Sequence, residues 1–271
     1  MSNQPIRSAA GQTFAAGKAA VDERLFVASV EKAMRVLEIF GKNATELSMA
    51  EIVARTGLGR SATQRFVYTL CQLGYLRRSA SAPLYSLSTK LVGLVVGLLG
   101  SNARLQAAYP ILMDLAKETR ETVSWLELDG DDIVVLGSIP SAHLTSVNLP
   151  VGSRFAALPA SSGQVLLSDA PQSQLLEMIG RLAPATRARF GDASDQSILS
   201  LFEQARDNGY SMTEKNLGQG SISLSAPVRD HAGRVVAALN LSTLTVRYSP
   251  ATARRDLLPL LTAAAQAISA H

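Results

Sequence analysis

Cysteine is almost missing from this chain: Cys71 is the only one in 271 residues. One thiol cannot close an intramolecular disulfide, and it excludes a zinc site built from cysteines. Cys71 sits in an apolar helical pattern and reads as a small core residue. Histidine is sparse too, with three copies, His143, His231 and His271. Long apolar runs are lacking. The longest, LVGLVVGLLG at residues 91–100, is about half the ~20 residues that span a bilayer. The first 24 residues are rich in Ala, Ser and Gly without a continuous apolar stretch, so no secretory signal is read there. A cytoplasmic protein with no membrane partner is expected. There is no Gly-x-Ser-x-Gly elbow, His-Glu-x-x-His pair, Walker loop or dinucleotide fingerprint. Catalytic residues, metal and cofactor are therefore all expected to be none.

What is present is globular. Apolar residues make up 47% and charged residues 18%, and the length suits two domains. The charge is uneven. Residues 1–90 hold 12 Lys and Arg against 6 Asp and Glu, whereas residues 91–271 hold 14 against 16. A basic first third joined to a mildly acidic remainder suggests a polyanion-binding module attached to something else.

Pattern along the chain supports that division. Val30, Ala33, Met34, Leu37 and Phe40 follow helical spacing up to Gly41. Ser48-Met49-Ala50-Glu51 is a capping box opening a second helix that ends at Gly57. A third helix is expected over residues 61–73, stopped by Gly74. Two short strands, residues 75–78 and 84–88, flank 79–83. Three helices and a hairpin form the layout of a winged helix-turn-helix. On a 100° wheel the third helix has Ala62, Phe66, Thr69, Leu70 and Leu73 on one side for burial. Ser61, Gln64, Arg65 and Tyr68 lie opposite. Hydroxyl, amide and guanidinium groups in that stripe suit base edges and phosphates of a major groove. The expected DNA-contacting set is Arg60, Ser61, Thr63, Gln64, Arg65 and Tyr68 on the helix, with Arg77 and Arg78 at the wing.

Residues 90–120 read as helical, with interruptions at Gly100 or Pro110. Strands at 122–128 and 133–139 flank Asp129-Gly130-Asp131, a hairpin signal. Helices follow at 160–167, 172–179 and 197–208, strands at 210–214, 222–228 and 234–242, and a closing helix at 251–270. Small polar residues lead into the PASSGQVLL helix, whose first-turn N–H groups favour a carboxylate. Ser221 and Ser223 share one strand face, as do Asn240 and Ser242. Either these pairs face solvent or they need partners such as a ligand. Trp125 is either core or an aromatic wall of a pocket. The cluster Asp129, Asp131 and Asp132 reads as a solvated hairpin tip rather than a metal site.

The segments FVASVEKAMRVLEIF and SMAEIVARTGLGRSATQRFVYTLCQLGYL resemble the amino-terminal domain of IclR-family transcriptional regulators. The similarity continues through ETVSWLELDGDDIVVLGSIPS, NLPVGSRFAALPASSGQVLL and NGYSMTEKNLGQGSISLSAPVRDHAGRVVAALNLS, over roughly residues 26–269. The opening segment is most similar to regulators of aromatic-acid catabolism, those sensing 4-hydroxybenzoate or protocatechuate. The resemblance implies an α+β fold, with a winged helix-turn-helix joined by a linker helix to a GAF-like α/β effector-binding domain. The expected parts are a flexible tail (1–24), the DNA-binding domain (25–89), a linker and dimerisation helix (90–105) and the effector domain (106–271). It implies effector contacts from Ser161, Ser162, Gly163, Thr213, Ser221, Ser223, Asn240 and Ser242, to which Trp125 is added as the candidate aromatic wall. The implied partners are a double-stranded, pseudo-palindromic DNA operator, a small-molecule carboxylate effector and a second copy of the chain, with dimer versus tetramer left open.

Three departures matter. The wing turn is Ser79-Ala80-Ser81-Ala82-Pro83, where relatives carry Asp-Gly and more basic residues. Ser138-Ile139-Pro140 stands where aromatic-acid members often carry an Arg, so either the charge for a ligand carboxylate comes from elsewhere, with His143 and Arg154 as candidates, or the ligand differs. Thr213 also stands where an acidic residue is often found. The rival functions are an esterase using Ser161 or Ser162 with His143 as base, and a ligand-binding module that does not touch DNA.

Overall fold

A computed structural model describes residues 22–41, 44–214 and 220–270, so most of the expected tail lies outside the described residues. The chain divides into two units between Ser101 and Asn102.

The first unit opens with α1 (Ala28–Glu38), β1 (Leu47–Ser48), α2 (Met49–Thr56) and α3 (Arg60–Gln72). The capping box forms as expected: Ser48 Oγ accepts from the Glu51 N–H, and the Glu51 carboxylate accepts from the Ser48 N–H at 2.8 Å. Gly57 closes α2 at φ 67°, a left-handed conformation that glycine adopts without strain. Strands β2 (Leu76–Arg78) and β3 (Leu84–Leu87) make the wing. The sequence pattern misses β1, because two residues are too few to show alternation. Its pairing with β3 makes the wing three-stranded, in the order β1-β3-β2.

Val36, Ile39, Phe40, Ile52, Val67 and Leu70 form the core of this unit. That core corrects two expected stripes. Val30 and Met34 of α1 are 58% and 50% exposed, and burial passes to Val36 and Ile39 instead. On α3 the buried line is Thr63, Val67 and Leu70, while Leu73 is 52% exposed and Thr69 faces out. Each helix carries apolar residues over a wide arc, so periodicity alone leaves the seam undetermined by about one position.

Helix α4 (Lys90–Ser101) follows the wing. Lys90 Nζ donates to the Leu73 carbonyl at 2.7 Å and lies 4.6 Å from the Tyr75 ring centre, tying α4 to the end of α3. The helical run breaks at Asn102, not at Gly100 or Pro110, because the Asn102 side chain accepts from the Leu105 N–H and starts α5 (Ala103–Thr119) afresh. Pro110 lies within α5.

The second unit is built on β4 (Thr122–Asp129), β5 (Asp132–Ile139), β6 (Arg154–Ala156), β7 (Ser211–Glu214), β8 (Ser221–Arg229) and β9 (Val235–Leu244). They form one antiparallel sheet in the order β6-β5-β4-β9-β8-β7. Helices α6 (Ser161–Leu166), α7 (Gln172–Gly180), α8 (Pro184–Arg187) and α9 (Asp195–Asn208) lie between β6 and β7 in the chain. The expected closing helix is two, α10 (Pro250–Asp256) and α11 (Leu258–Ser269). Pro259 explains the break, since proline suits a first turn and disrupts a helix interior. Helices α5 and α11 pack on one face of the sheet and α6 on the other. Among the described residues, no single helix is long and apolar enough to cross a membrane.

Candidate functional site

In the first unit, Gly59 caps α3, and Arg60, Ser61, Gln64, Arg65 and Tyr68 are all exposed, Tyr68 at 65%. The expected polar stripe therefore lies on the surface as one continuous face. Thr63 does not belong to it. Its side chain is fully buried and its hydroxyl donates to the Gly59 carbonyl at 3.1 Å, so it is a core residue. At the wing, Arg77 and Arg78 are exposed, and Arg77 is steadied by a bond from Nε to Ser86 Oγ at 2.9 Å. This arrangement offers a helix with amide, hydroxyl and guanidinium groups, flanked by basic residues on a short sheet. It matches the demands of a major groove and its phosphates.

The second unit carries a feature that only strand register reveals. Ser138, Ser124, Asn240, Ser225 and Ser211 are cross-strand partners in one row over β5, β4, β9, β8 and β7. The neighbouring row on the same face is Thr122, Ser242, Ser223 and Thr213. Asn240 is 1% exposed, Ser223 5% and Ser225 and Ser242 0%, so the alternation is not a solvent face. The polar side chains satisfy one another. Asn240 Nδ2 donates to Ser223 Oγ at 2.6 Å and to Ser225 Oγ at 3.0 Å, and Ser242 Oγ donates to Asn240 Oδ1 at 2.7 Å. Ser161 Oγ donates to Ser223 Oγ at 3.0 Å, and the hydroxyls of Ser162 and Ser225 are 2.9 Å apart. Ser225 was not among the expected contacts, although it continues the Ser221, Ser223 alternation by two residues.

A cavity opens where this polar field meets apolar residues. Ser161, Ser162, Thr213, Ser223 and Asn240 line one side, Leu126, Ile133, Leu149, Phe155 and Ala160 the other, and Arg189 completes it. It is narrow: about 20 Å³ is open to the centre of a water-sized molecule, where one water needs about 10–15 Å³.

Four expected contacts stand elsewhere. Trp125 is fully buried on the opposite face, next to Gly137 and near α5, because it alternates with the cavity-facing Leu126. Gly163 serves packing: a β-carbon there would lie 1.9 Å from the Ala157 carbonyl oxygen. Ser242 supports Asn240 from one row back, and Ser221, 2% exposed, pairs with Leu244 away from the cavity wall. The helix-terminus argument also weakens, since α6 has only six residues and its leading hydroxyls bond to serines.

Neither expected source of positive charge reaches the cavity. Arg154 pairs with Asp129 at 2.7 Å and Asp132 at 3.4 Å, holding the hairpin tip together. Burial still pushes the Asp132 carboxyl above the usual carboxylate range, with Arg154 opposing it. Asp131 pairs with Arg181 at 2.9 Å, so all three aspartates have arginine partners. His143 lies with Nε2 4.0 Å from Glu121 Oε1. Glu121 is itself fully buried and held by Arg247 at 2.5 Å and Thr243 at 2.8 Å. The hydroxyl partners of Ser161 and Ser162 are serines, not a histidine, so the esterase geometry is not assembled. Arg189 carries the cavity's guanidinium. Its surroundings, a four-residue helix and a 3-10 turn, gave no periodic signal.

Comparison with known proteins agrees with this division. The description "IclR helix-turn-helix domain" matches residues 29–80, and "Bacterial transcriptional regulator IclR C-terminal" matches residues 98–270. The Pca regulon regulatory protein of Pseudomonas putida is 31% identical over 242 residues, 89% of this chain and 82% of that protein. The transcriptional regulator XynR of Escherichia coli is 30% identical over 83% of this chain and 89% of its own. A crystal structure of a transcriptional regulator from Rhodococcus sp. RHA1 superimposes with a TM-score of 0.78 at 28% identity, covering 90% and 98% of the two chains. An exposed recognition helix with a basic wing, joined to a sheet-based sensor-like unit, thus has its counterpart in a known family: this chain belongs to the IclR family of DNA-binding transcriptional regulators.

Proposed function

We propose that this regulator controls a catabolic operon in response to a small carboxylate bound in the second unit, with an aromatic acid favoured. The carrying observation is the cavity's split character. Hydroxyl and amide groups of Ser161, Ser162, Thr213, Ser223 and Asn240 face the apolar side chains of Leu126, Ile133, Leu149 and Phe155. A molecule with a polar end and a flat apolar body satisfies both sides, and Arg189 supplies the charge that a carboxylate needs. The similarity to a Pca regulon regulator favours the aromatic class. The narrow volume means that a ring enters only as the lining moves, and binding then favours the widened conformation. That shift changes operator affinity through a coupling free energy.

DNA contact falls to Arg60, Ser61, Gln64, Arg65 and Tyr68 in the major groove and to Arg77 and Arg78 on phosphates. A homodimer reading a pseudo-palindromic operator fits the exposed apolar side chains of α4, where Leu94, Val96 and Leu98 are 61–62% exposed.

Calorimetry and thermal shift against 4-hydroxybenzoate, protocatechuate, pyruvate and a sugar acid test the cavity. An aromatic acid is expected to raise the melting temperature by mass action. Arg189→Ala should weaken binding, and Ser223→Phe should abolish it while leaving the gel shift with DNA in place. Aromatic-acid affinity unaffected by either variant would place the ligand elsewhere.

A further inference from the structure

Glu127 does not line the cavity, yet it links the strand beside the cavity to the junction of the two units. One carboxylate oxygen, Oε1, accepts from the Trp125 indole Nε1–H at 2.8 Å and from the Asn102 side-chain Nδ2–H at 2.7 Å. Asn102 is the first residue of the second unit. Its Oδ1 accepts from the Leu105 N–H at 3.0 Å and so starts α5. A β-carbon on Gly137, the cross-strand partner of Trp125, would lie 2.9 Å from Leu105 Cδ1. The start of α5 is therefore held both by Glu127 and by packing on the Trp125 row. On the other side, the pairing of β4 with β5 shifts register between Trp125 and Leu126, where β5 carries Leu136 as an extra residue opposite them, and Leu126 is a cavity wall. Such a bulge is a place where a strand re-aims its side chains. Leu126 is the chain neighbour of Trp125, whose ring is tied to Glu127.

The chemistry of the link makes it sensitive. Both donors are neutral, and the acceptor is charged, so each bond is charge-assisted. Among the described residues Glu127 has no ion-pair partner. Losing either donor therefore removes a large part of what compensates the half-buried charge.

We propose that Glu127 is a positioning residue that sets the chain direction at Asn102 and thereby couples the cavity to DNA affinity. The ligand-dependent half rests on the cavity function proposed above, whereas the positional half does not.

The test uses full-length protein and a duplex selected by the wild-type chain from a random-sequence pool, without ligand. E127A and N102A should each change affinity about fivefold or more, with the double variant no further from wild type than N102A, which also loses the cap of α5. E127Q keeps Oε1 as an acceptor but loses its charge, and should fall between E127A and wild type. N102D keeps the cap acceptor for Leu105 but loses the donor to Glu127, so it should behave like E127A, and it carries the test if E127A does not fold. I198V, a small core truncation on α9, controls for lost stability and should leave affinity unchanged. Wild-type affinity in N102D, additive effects in the double variant, or an equal effect of I198V would each overturn the proposal. Addition of 4-hydroxybenzoate separates the two halves. E127A that binds the acid in calorimetry but no longer changes DNA affinity supports coupling, and E127A that responds like wild type overturns it. If wild type binds none of the acids tested above, the cavity function falls, and the ligand-free cycle still decides the role of Glu127.

Discussion

Gly163 and Ala157 approach so closely that a β-carbon on the glycine would lie 1.9 Å from the Ala157 carbonyl oxygen and 2.4 Å from its carbon. The obstacle is backbone, which cannot rotate aside as a side chain does. Gly163→Ala should therefore destabilise the second unit by about 2–3 kcal/mol or more through overpacking, read as a lower urea midpoint. A G163A chain with the wild-type midpoint and no ligand-induced thermal shift would restore Gly163 as a ligand contact.

The residues of α3 should separate by role. Arg65→Ala should relax operator discrimination, losing about 1–3 kcal/mol if it contacts a guanine. Arg77→Ala should weaken all duplexes alike and flatten the salt slope by about one phosphate. Thr63→Val should lower stability, by about 1 kcal/mol for the lost bond to Gly59, and leave DNA specificity unchanged. Salt-dependent binding isotherms and a thermal melt distinguish the three. A specificity change in T63V would return Thr63 to the interface.

The exposed ridge of α4 predicts a self-association phenotype. Leu94 is 61% exposed, so Leu94→Lys should cost the folded protomer little. It should produce monomers in sedimentation and lose operator binding if the ridge packs between two copies. A dimeric L94K chain with normal operator affinity would exclude α4 from the interface.

Acid should loosen the start of α2. Bonds from the Ser48 backbone N–H, and then its hydroxyl, hold the Glu51 carboxyl below the usual carboxylate range. A lowered folded pKa means that this contribution is present above the unfolded value and fades as pH falls through the folded one. Glu51→Gln, which removes the titrating group itself, should shrink the difference in stability between pH 7 and pH 3 as measured by denaturant titration. An unchanged difference would show that the capping box does not contribute to it.

Trp125 is the single tryptophan, fully buried on the sheet face away from the cavity. Its emission should be blue-shifted and resist acrylamide. Titration with 4-hydroxybenzoate should shift it slightly rather than quench it. Strong quenching on binding would put the ligand ring against Trp125, contrary to its position.

Much of this protein was legible in the chain itself, because the signals are local. The Ser48–Glu51 capping box, Gly57 and Gly74 as helix stops, and the Asp129-Gly130 hairpin each act within a few residues. They yielded the two-part layout and most elements of both units, though not β1, β6 or α8. The alternation of Ser221, Ser223, Asn240 and Ser242 also identified two strands with a polar face. What tertiary structure decided is non-local. Whether that face meets solvent or a cavity depends on the sheet order β4-β9-β8-β7, which sets Asn240 beside Ser124 and Ser225. The seam of α3 shifted by one position, burying Thr63, because the packing of neighbouring helices selects among several apolar arcs. Trp125 went to the back of the sheet, Gly163 to a backbone contact, and Arg189 came to the cavity from a patternless segment. Hydrophobic periodicity tells which side chains seek burial. Their partners are set by pairings between segments tens of residues apart, which no local signal encodes.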